Sequence, residues 1–212
     1  MALLTDKFIF LHIPKTGGTY VRECFKALGI SGREIFHEHA FFPAIERHVS
    51  RAELENKLVI CFIRNPVTWY KSRWSFRMQL GWHMENPLDF NCASNDFNIF
   101  VNNCIDYAGG DIGWATKKML YYIDSVPDYL KLFIGKAENL EDDLLKSLVL
   151  SGSIEESVSL PRIPKINVCK VDGIDSQALA TYDAVTYKRV LKCDGDFIRK
   201  FYPELSKQYF DQ

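Results

Sequence analysis

The feature that most constrains this chain is an apolar run that turns through two glycines into a helical pattern. Residues 8–13 read FIFLHI, a nearly continuous apolar run of the kind that forms a buried strand. After Gly17 and Gly18, apolar side chains recur over residues 21–28 at the spacing of one helix face, and Gly29 stands where a glycine commonly ends a helix. The segment therefore predicts a strand, a glycine turn and a helix.

The same alternation of strand and helix patterns continues along the chain. Residues 58–63 form a second continuous apolar run, after which Asn65 and Pro66 have the character of an N-cap and a first helical residue. Residues 129–134 are another strand candidate, and a leucine stripe over residues 140–148 predicts a further helix. Strands that alternate with helices predict a three-layer α/β fold with a mainly parallel central sheet.

Three further segments complete the predicted outline. Residues 34–41 have the pattern of an additional extended segment, and residues 151–175 carry the prolines and glycines of a loop. Residues 182–201 predict a closing helical region that is interrupted near Gly195. The chain of 212 residues is long enough for one sizeable core, so we predict a single domain, 1–212.

Composition and charge argue against several classes of partner. The chain carries 26 basic and 27 acidic side chains, so its net charge is −1. This balance does not support an overall positive electrostatic field that would attract nucleic acid or membranes. The N-terminal residues lack a signal-peptide pattern, and no apolar run is long enough to span a bilayer. The six cysteines lie far apart without a Cys-x-x-Cys pair, which favours reduced thiols over a zinc site. We therefore expect a cytoplasmic protein with no metal site.

The residues around the two glycines make the turn a candidate anion site. A helix N-terminus presents backbone N–H groups and a positive dipole end, and glycine lets an anion approach that backbone closely. Lys15 adds a positive charge, and Thr16 and Thr19 add hydroxyl donors. A plain glycine turn is the alternative. A Walker A loop has its lysine after the glycines, whereas Lys15 precedes them, which weighs against an ATPase or GTPase.

Two motifs resemble those of a known enzyme family. Residues 12–19, HIPKTGGT, resemble the 5′-phosphosulfate-binding loop of sulfotransferases that use 3′-phosphoadenosine 5′-phosphosulfate (PAPS). The branch with heparan sulfate 2-O-sulfotransferase and its bacterial relatives is the most similar. Residues 64–67, RNPV, with Ser72 eight positions after Arg64, resemble the family's 3′-phosphate-binding motif. Looser similarity extends over most of the chain, at residues 112–116, 135–140 and 164–168.

The resemblance implies a P-loop-like strand, loop and helix that bind PAPS as co-substrate, without a metal. The expected cofactor-binding residues of the loop are Lys15, Thr16, Gly17, Gly18, Thr19 and Tyr20, and Lys15 also has a catalytic role. Arg64 and Ser72 would hold the 3′-phosphate. The residues support this independently, because Arg64 follows a predicted central strand and Ser72 lies two turns into the next helix, where a guanidinium and a hydroxyl suit a phosphate clamp.

The candidate base lies in the pair His37 and His39. Residues two apart in an extended segment project to the same face, so the two imidazoles are expected on one side. The related glycan sulfotransferases carry a His-x-His in the matching place, and one of its histidines is their base. Neutral imidazole suits removal of a proton from an attacking hydroxyl. We predict His39 as base and His37 as its support or as an acceptor ligand; structural histidines are the alternative.

The resemblance predicts a sulfuryl transfer to a hydroxyl of a small-molecule or glycan acceptor by in-line displacement. Two other classes stay open: a nucleotide or small-molecule kinase, and a non-catalytic nucleotide-binding module. The aromatic residues of 73–113, among them Trp74, Trp82 and Tyr107, are candidates for the acceptor side, with a buried core as the equal alternative. The sequence does not identify the acceptor or the oligomeric state.

Overall fold

A computed structural model of the chain describes residues 2–35, 40–164, 170–171 and 174–210. Contacts between residues group the chain into two compact units. The first consists of Met1–Arg64 with Met119–Ile166, and the second of Asn65–Lys118 with Asn167–Gln212.

A five-stranded sheet lies in the first unit. Its strands, in chain order, are β1 (Ala2–Leu4), β2 (Phe8–Leu11), β3 (Arg33–Ile35), β4 (Leu58–Ile63) and β5 (Lys131–Lys136). Their spatial order is β3-β1-β2-β4-β5. Strand β4 runs parallel to both β2 and β5, whereas β1 is antiparallel to its two neighbours. The predicted α/β class with a mainly parallel sheet is confirmed, and the carboxyl ends of β2, β4 and β5 meet at one edge.

Helices fill most of the remaining chain. In chain order they are α1 (Gly18–Ala27), α2 (Phe42–Glu46), α3 (Arg51–Leu54), α4 (Pro66–Leu80), α5 (Pro87–Cys92), α6 (Phe97–Ala108), α7 (Trp114–Ile123), α8 (Leu140–Leu150), α9 (Ser176–Leu179), α10 (Ala184–Phe201) and α11 (Pro203–Phe210). A small hairpin, β6 (Lys170–Val171) with β7 (Ile174–Asp175), lies in the second unit. Within the described residues, no helix is both long and apolar enough to cross a membrane.

The core of the first unit explains why its strands are apolar throughout. Phe8 and Phe10 lie two apart on β2 and share one face with alternate residues of β4, where α1 and α8 cover them. Phe10 packs edge-on against Phe25 of α1, with ring centroids 5.4 Å apart. The intervening residues Ile9 and Leu11 are also fully buried, so the strand is enclosed on both faces. Burial of each such side chain contributes about 1.5–3 kcal/mol, which fixes the sheet that carries the β2–α1 loop.

Local signals placed several boundaries correctly. Strand β4 covers the predicted residues 58–63, and the side chain of Asn65 caps α4 by accepting a hydrogen bond from the Val67 N–H at 3.0 Å. Gly29 follows α1 with a φ of 70°, a left-handed conformation that ends a helix readily because glycine has no Cβ. Strand β5 begins two residues later than predicted, at Lys131.

One predicted feature differs from the structure, and another falls partly outside the described residues. The predicted break near Gly195 is wrong, because α10 runs unbroken through it and buries Val190 and Ile198 on either side. Packing of that face outweighs the modest cost of one helical glycine. Of the extended segment predicted for residues 34–41, Glu34 and Ile35 belong to β3. Its residues 36–39 lie outside the described part of the chain.

Asp194 is a fully buried carboxylate in the second unit. Its Oδ2 accepts a hydrogen bond from the Tyr70 hydroxyl, and its Oδ1 accepts one from the Thr116 N–H, both at 3.3 Å. Thr116 lies in the first turn of α7, so Asp194 of α10 caps that helix from a distance. A Cβ on Gly113 would collide with the carboxylate. Burial disfavours the charged carboxylate and outweighs these hydrogen bonds, which favour it. The pKa of Asp194 is therefore raised from 3.8 to about 6.

We predict that Asp194→Asn removes a pH-dependent loss of stability. A raised carboxyl pKa means that the folded state holds the proton more tightly, so this group's stabilising contribution is complete below about pH 4 and lost by about pH 6. The loss corresponds to about 3 kcal/mol. Urea unfolding of both proteins between pH 4 and 7 should show the variant gaining unfolding free energy relative to wild type as pH rises. A constant difference across that range would contradict the assignment.

Candidate functional site

The loop between β2 and α1 contains two residues in the left-handed backbone region. Lys15 has a φ of 68° and Gly17 a φ of 91°. Glycine adopts this conformation without penalty, whereas a lysine there costs roughly 1–2 kcal/mol. The Thr16 hydroxyl closes the turn by donating a hydrogen bond to the Ile13 carbonyl at 2.8 Å. Strained backbone held by its surroundings is typical of binding and catalytic sites, so Lys15 is the most distinctive residue of the loop.

Close packing explains both glycines. A Cβ at Gly17 would lie 2.5 Å from Leu140 Cδ2, at the start of α8. A Cβ at Gly18 would collide with the imidazole of His12, which is 4% exposed and stacks on Phe10 with ring centroids 5.9 Å apart. The loop is therefore clamped between α8 and the end of β2. These contacts of His12 and Leu140 are not evident from the sequence, because they depend on how the elements pack.

The first turn of α1 supplies donors for an anion. Its N-cap is Gly17, and among the described residues no side chain caps the helix and no acidic residue lies in its first turn. The N–H groups of Gly18, Thr19 and Tyr20 thus lack an acceptor within the helix and lie at the positive end of its dipole. An anion placed there would gain hydrogen bonds and a favourable electrostatic field.

The Tyr20 side chain interacts with residues of α1 and α8. Its phenol lies beside Cys24 and Glu141, and burial, followed by these contacts, raises its pKa well above the ordinary value. The hydroxyl therefore stays protonated at neutral pH and interacts with α1 and α8. The backbone N–H is the part of Tyr20 that an anion in the loop would meet.

Arg64 joins this loop from the neighbouring strand. It directly follows β4, and its guanidinium Nη1 donates a hydrogen bond to the Lys15 carbonyl at 3.4 Å. Its backbone N–H points to Met119 Sδ at 3.3 Å, which fixes the chain at the strand end. Both Arg64 and Lys15 are half-buried. The Arg64 guanidinium, the Lys15 backbone and a set of helix N–H groups therefore meet at the carboxyl edge of adjacent parallel strands, where α/β folds commonly bind ligands.

The other predicted site residues belong to the second unit or lie outside the described residues. Ser72 is buried on α4, in the second unit, two turns after Asn65. The Asn65 amide, besides capping α4, donates a hydrogen bond to the Tyr209 hydroxyl at 3.0 Å. No sequence pattern pointed to Tyr209, because it lies 144 positions away from Asn65. His37 and His39 lie outside the described residues, so their roles stay predictions.

The aromatic residues predicted for the acceptor side are largely part of the packing. Trp74 is 5% exposed, donates its indole N–H to the Ser94 carbonyl at 3.0 Å and packs edge-on against Phe97. The ring centroids of Trp82 and Phe100 lie 5.6 Å apart. Tyr107 is 38% exposed. Across the described ranges, no group of three His, Cys, Asp or Glu side chains could hold a metal ion.

Comparison of the chain with protein-family models, with curated proteins and with solved structures found no match.

Proposed function

We propose that this protein is a PAPS-dependent sulfotransferase whose β2–α1 segment is a P-loop-like phosphate-binding loop. The observation that carries the proposal is the meeting of Lys15, in its left-handed conformation, with Arg64 and the uncapped first turn of α1. This cluster combines positive charge with aligned N–H donors, a combination that favours phosphate or sulfate groups. The order of the motifs along the chain, with Ser72 after Arg64, supports PAPS over other phosphorylated ligands.

In the proposed reaction, the sulfuryl group moves from PAPS to an acceptor hydroxyl. The acceptor oxygen forms a bond to sulfur while the bond from sulfur to the bridging phosphate oxygen breaks, which releases 3′-phosphoadenosine 5′-phosphate. His39 takes the acceptor proton. Lys15 and the N–H groups of Gly18 and Thr19 stabilise the negative charge that develops on the departing phosphate oxygen. Positioning and fixed charges supply most of the rate, by analogy with phosphoryl transfer.

The direct test is turnover with a panel of hydroxylated acceptors. The protein is incubated with PAPS and with sugars, phenols and alcohols, and products are examined by mass spectrometry for an added sulfuryl group. A parallel incubation with ATP and Mg²⁺ tests for kinase activity. Sulfated product would support the proposal, and phosphorylated product would replace it with a kinase. Tight binding of PAPS without any product would favour a non-catalytic nucleotide-binding module.

We predict that Arg64 distinguishes nucleotides by their 3′-phosphate. The wild type should bind 3′-phosphoadenosine 5′-phosphate far more tightly than AMP in calorimetry. Arg64→Ala should weaken binding of the bisphosphate roughly 10- to 150-fold, because a hydrogen bond to a charged group contributes about 1.5–3 kcal/mol. Affinity for AMP should change much less.

A matched control is Arg47→Ala, because Arg47 is an exposed arginine at the end of α2. It should leave both affinities unchanged. Equal losses for AMP and the bisphosphate in Arg64→Ala would show that Arg64 does not read the 3′-phosphate.

A further inference from the structure

A cavity lies in the first unit, away from the proposed nucleotide loop. It has a volume of about 460 Å³ and is lined by the first residues of two adjacent parallel strands, Leu58 of β4 and Lys131 of β5. These residues mark the amino ends of the strands, whereas the loop containing Lys15 follows the carboxyl end of β2. The cavity is within the size range of small-molecule sites, and it is separate from the PAPS site proposed above.

The charge of this cavity differs sharply from that of the whole chain. Lys7, Lys57 and Lys131 line it, and none of its described lining residues is acidic. The chain as a whole has a net charge of −1, so three lysines in one lining are a local excess of positive charge. Beside the lining, Glu46 accepts a hydrogen bond from the Tyr129 hydroxyl at 3.2 Å, and the positive charge of Arg51 lies 4.4 Å from the centre of the same ring. Lys57 is held in place, because its ammonium donates to the carbonyls of Thr5 at 2.8 Å and Asp6 at 2.9 Å. Lys7 and Lys131 are exposed and able to turn toward a bound anion.

The same cavity offers apolar surface beside its lysines. Leu58 and Leu130 are nearly buried, at 7% and 8% exposure, and give an apolar inner wall. Tyr129 and Leu150 also line the cavity but remain 38% and 66% exposed. A ligand that covers large apolar side chains on a concave surface removes them from water, and this favours binding. The cavity therefore suits a molecule that has both an apolar body and an acidic group.

We propose that this cavity binds a small organic anion, with an aromatic or aliphatic body against Tyr129 and Leu150 and one acidic group facing Lys7 and Lys131. The apolar body accounts for the leucine and tyrosine lining, and the acidic group accounts for the two exposed lysines, Lys7 and Lys131. This site is independent of the proposed sulfotransferase activity, because it shares no residue with the β2–α1 loop or Arg64.

Fluorescence titration with 8-anilinonaphthalene-1-sulfonate tests the proposal, since this probe joins an aromatic body to a sulfonate. The wild type should bind the probe at a single site, with affinity that falls as salt concentration rises. The double variant Lys7→Glu/Lys131→Glu should bind it about tenfold or more weakly, because two attractive charges become repulsive. Leu150→Asn should weaken binding by roughly threefold to tenfold through loss of apolar contact.

Two controls make the outcome decisive. Lys188→Glu changes charge in the same way at an exposed position of α10 in the second unit, and it should bind the probe like the wild type. Saturation with 3′-phosphoadenosine 5′-phosphate should not displace the probe. The proposal is overturned by unchanged binding in the double variant, by equal weakening in Lys188→Glu, or by competition with the nucleotide.

Discussion

Replacement of Lys15 by alanine should lower sulfuryl transfer by about 10²- to 10³-fold, with little change in overall fold. The expected loss is that of one preorganised group that stabilises charge on the leaving oxygen in the transition state. Because this stabilisation is specific to the transition state, kcat should fall by more than the affinity for PAPS. Single-turnover assays with saturating PAPS, together with calorimetric binding of 3′-phosphoadenosine 5′-phosphate, measure both quantities.

The left-handed backbone at Lys15 gives this experiment an internal control. Lys15→Gly also removes the ammonium group but relieves the strain of a φ of 68°, so it should be more stable than Lys15→Ala by about 1 kcal/mol. The two variants should be equally inactive if the ammonium group is what matters. Lys26→Ala removes an exposed lysine from the last turn of α1 and should retain full activity. Near-normal turnover in Lys15→Gly would show that the loop binds the nucleotide without contributing to the chemistry.

The core strands of the sheet were predictable because burial on both faces leaves a continuous apolar run in the sequence. Residues 58–63 show this most clearly, and Asn65 with Pro66 marks the start of the next helix by local capping chemistry. Strand β1 was not predicted, since its three residues, Ala2–Leu4, are too short to show any periodicity. Its pairing with β2 and β3 is a tertiary feature.

The candidate site shows the same division between local and tertiary information. An anion-binding loop is indicated by the glycines, the lysine and the threonines that follow the first long strand. The order of the strands predicts that Arg64 binds the same ligand. The left-handed backbone of Lys15 could not be predicted, because lysine rarely adopts it without support from its surroundings. That support includes the Arg64 hydrogen bond to the Lys15 carbonyl, a contact between residues 49 positions apart.

The second large effect is expected at the histidine pair that follows β3. His39→Ala should retain affinity for PAPS yet lose about 10²- to 10⁴-fold in transfer, the usual contribution of a general base. The wild-type rate should fall as pH drops below about 6.5, because protonated imidazole cannot accept the acceptor's proton. This acid limb should disappear from the residual activity of His39→Ala, since the titrating base is gone.

His37→Ala is the matched control for this assignment, because it removes an imidazole two residues away in the same segment. It should keep the acid limb and lose much less in kcat, with its main effect on the KM of the acceptor. Both variants are assayed from pH 5 to 9 with saturating PAPS and acceptor. A dead His37→Ala enzyme beside a His39→Ala enzyme that retains its acid limb would reverse the two roles. Full activity in both would place the base outside this pair, and the histidines would then be structural residues that follow the edge strand β3.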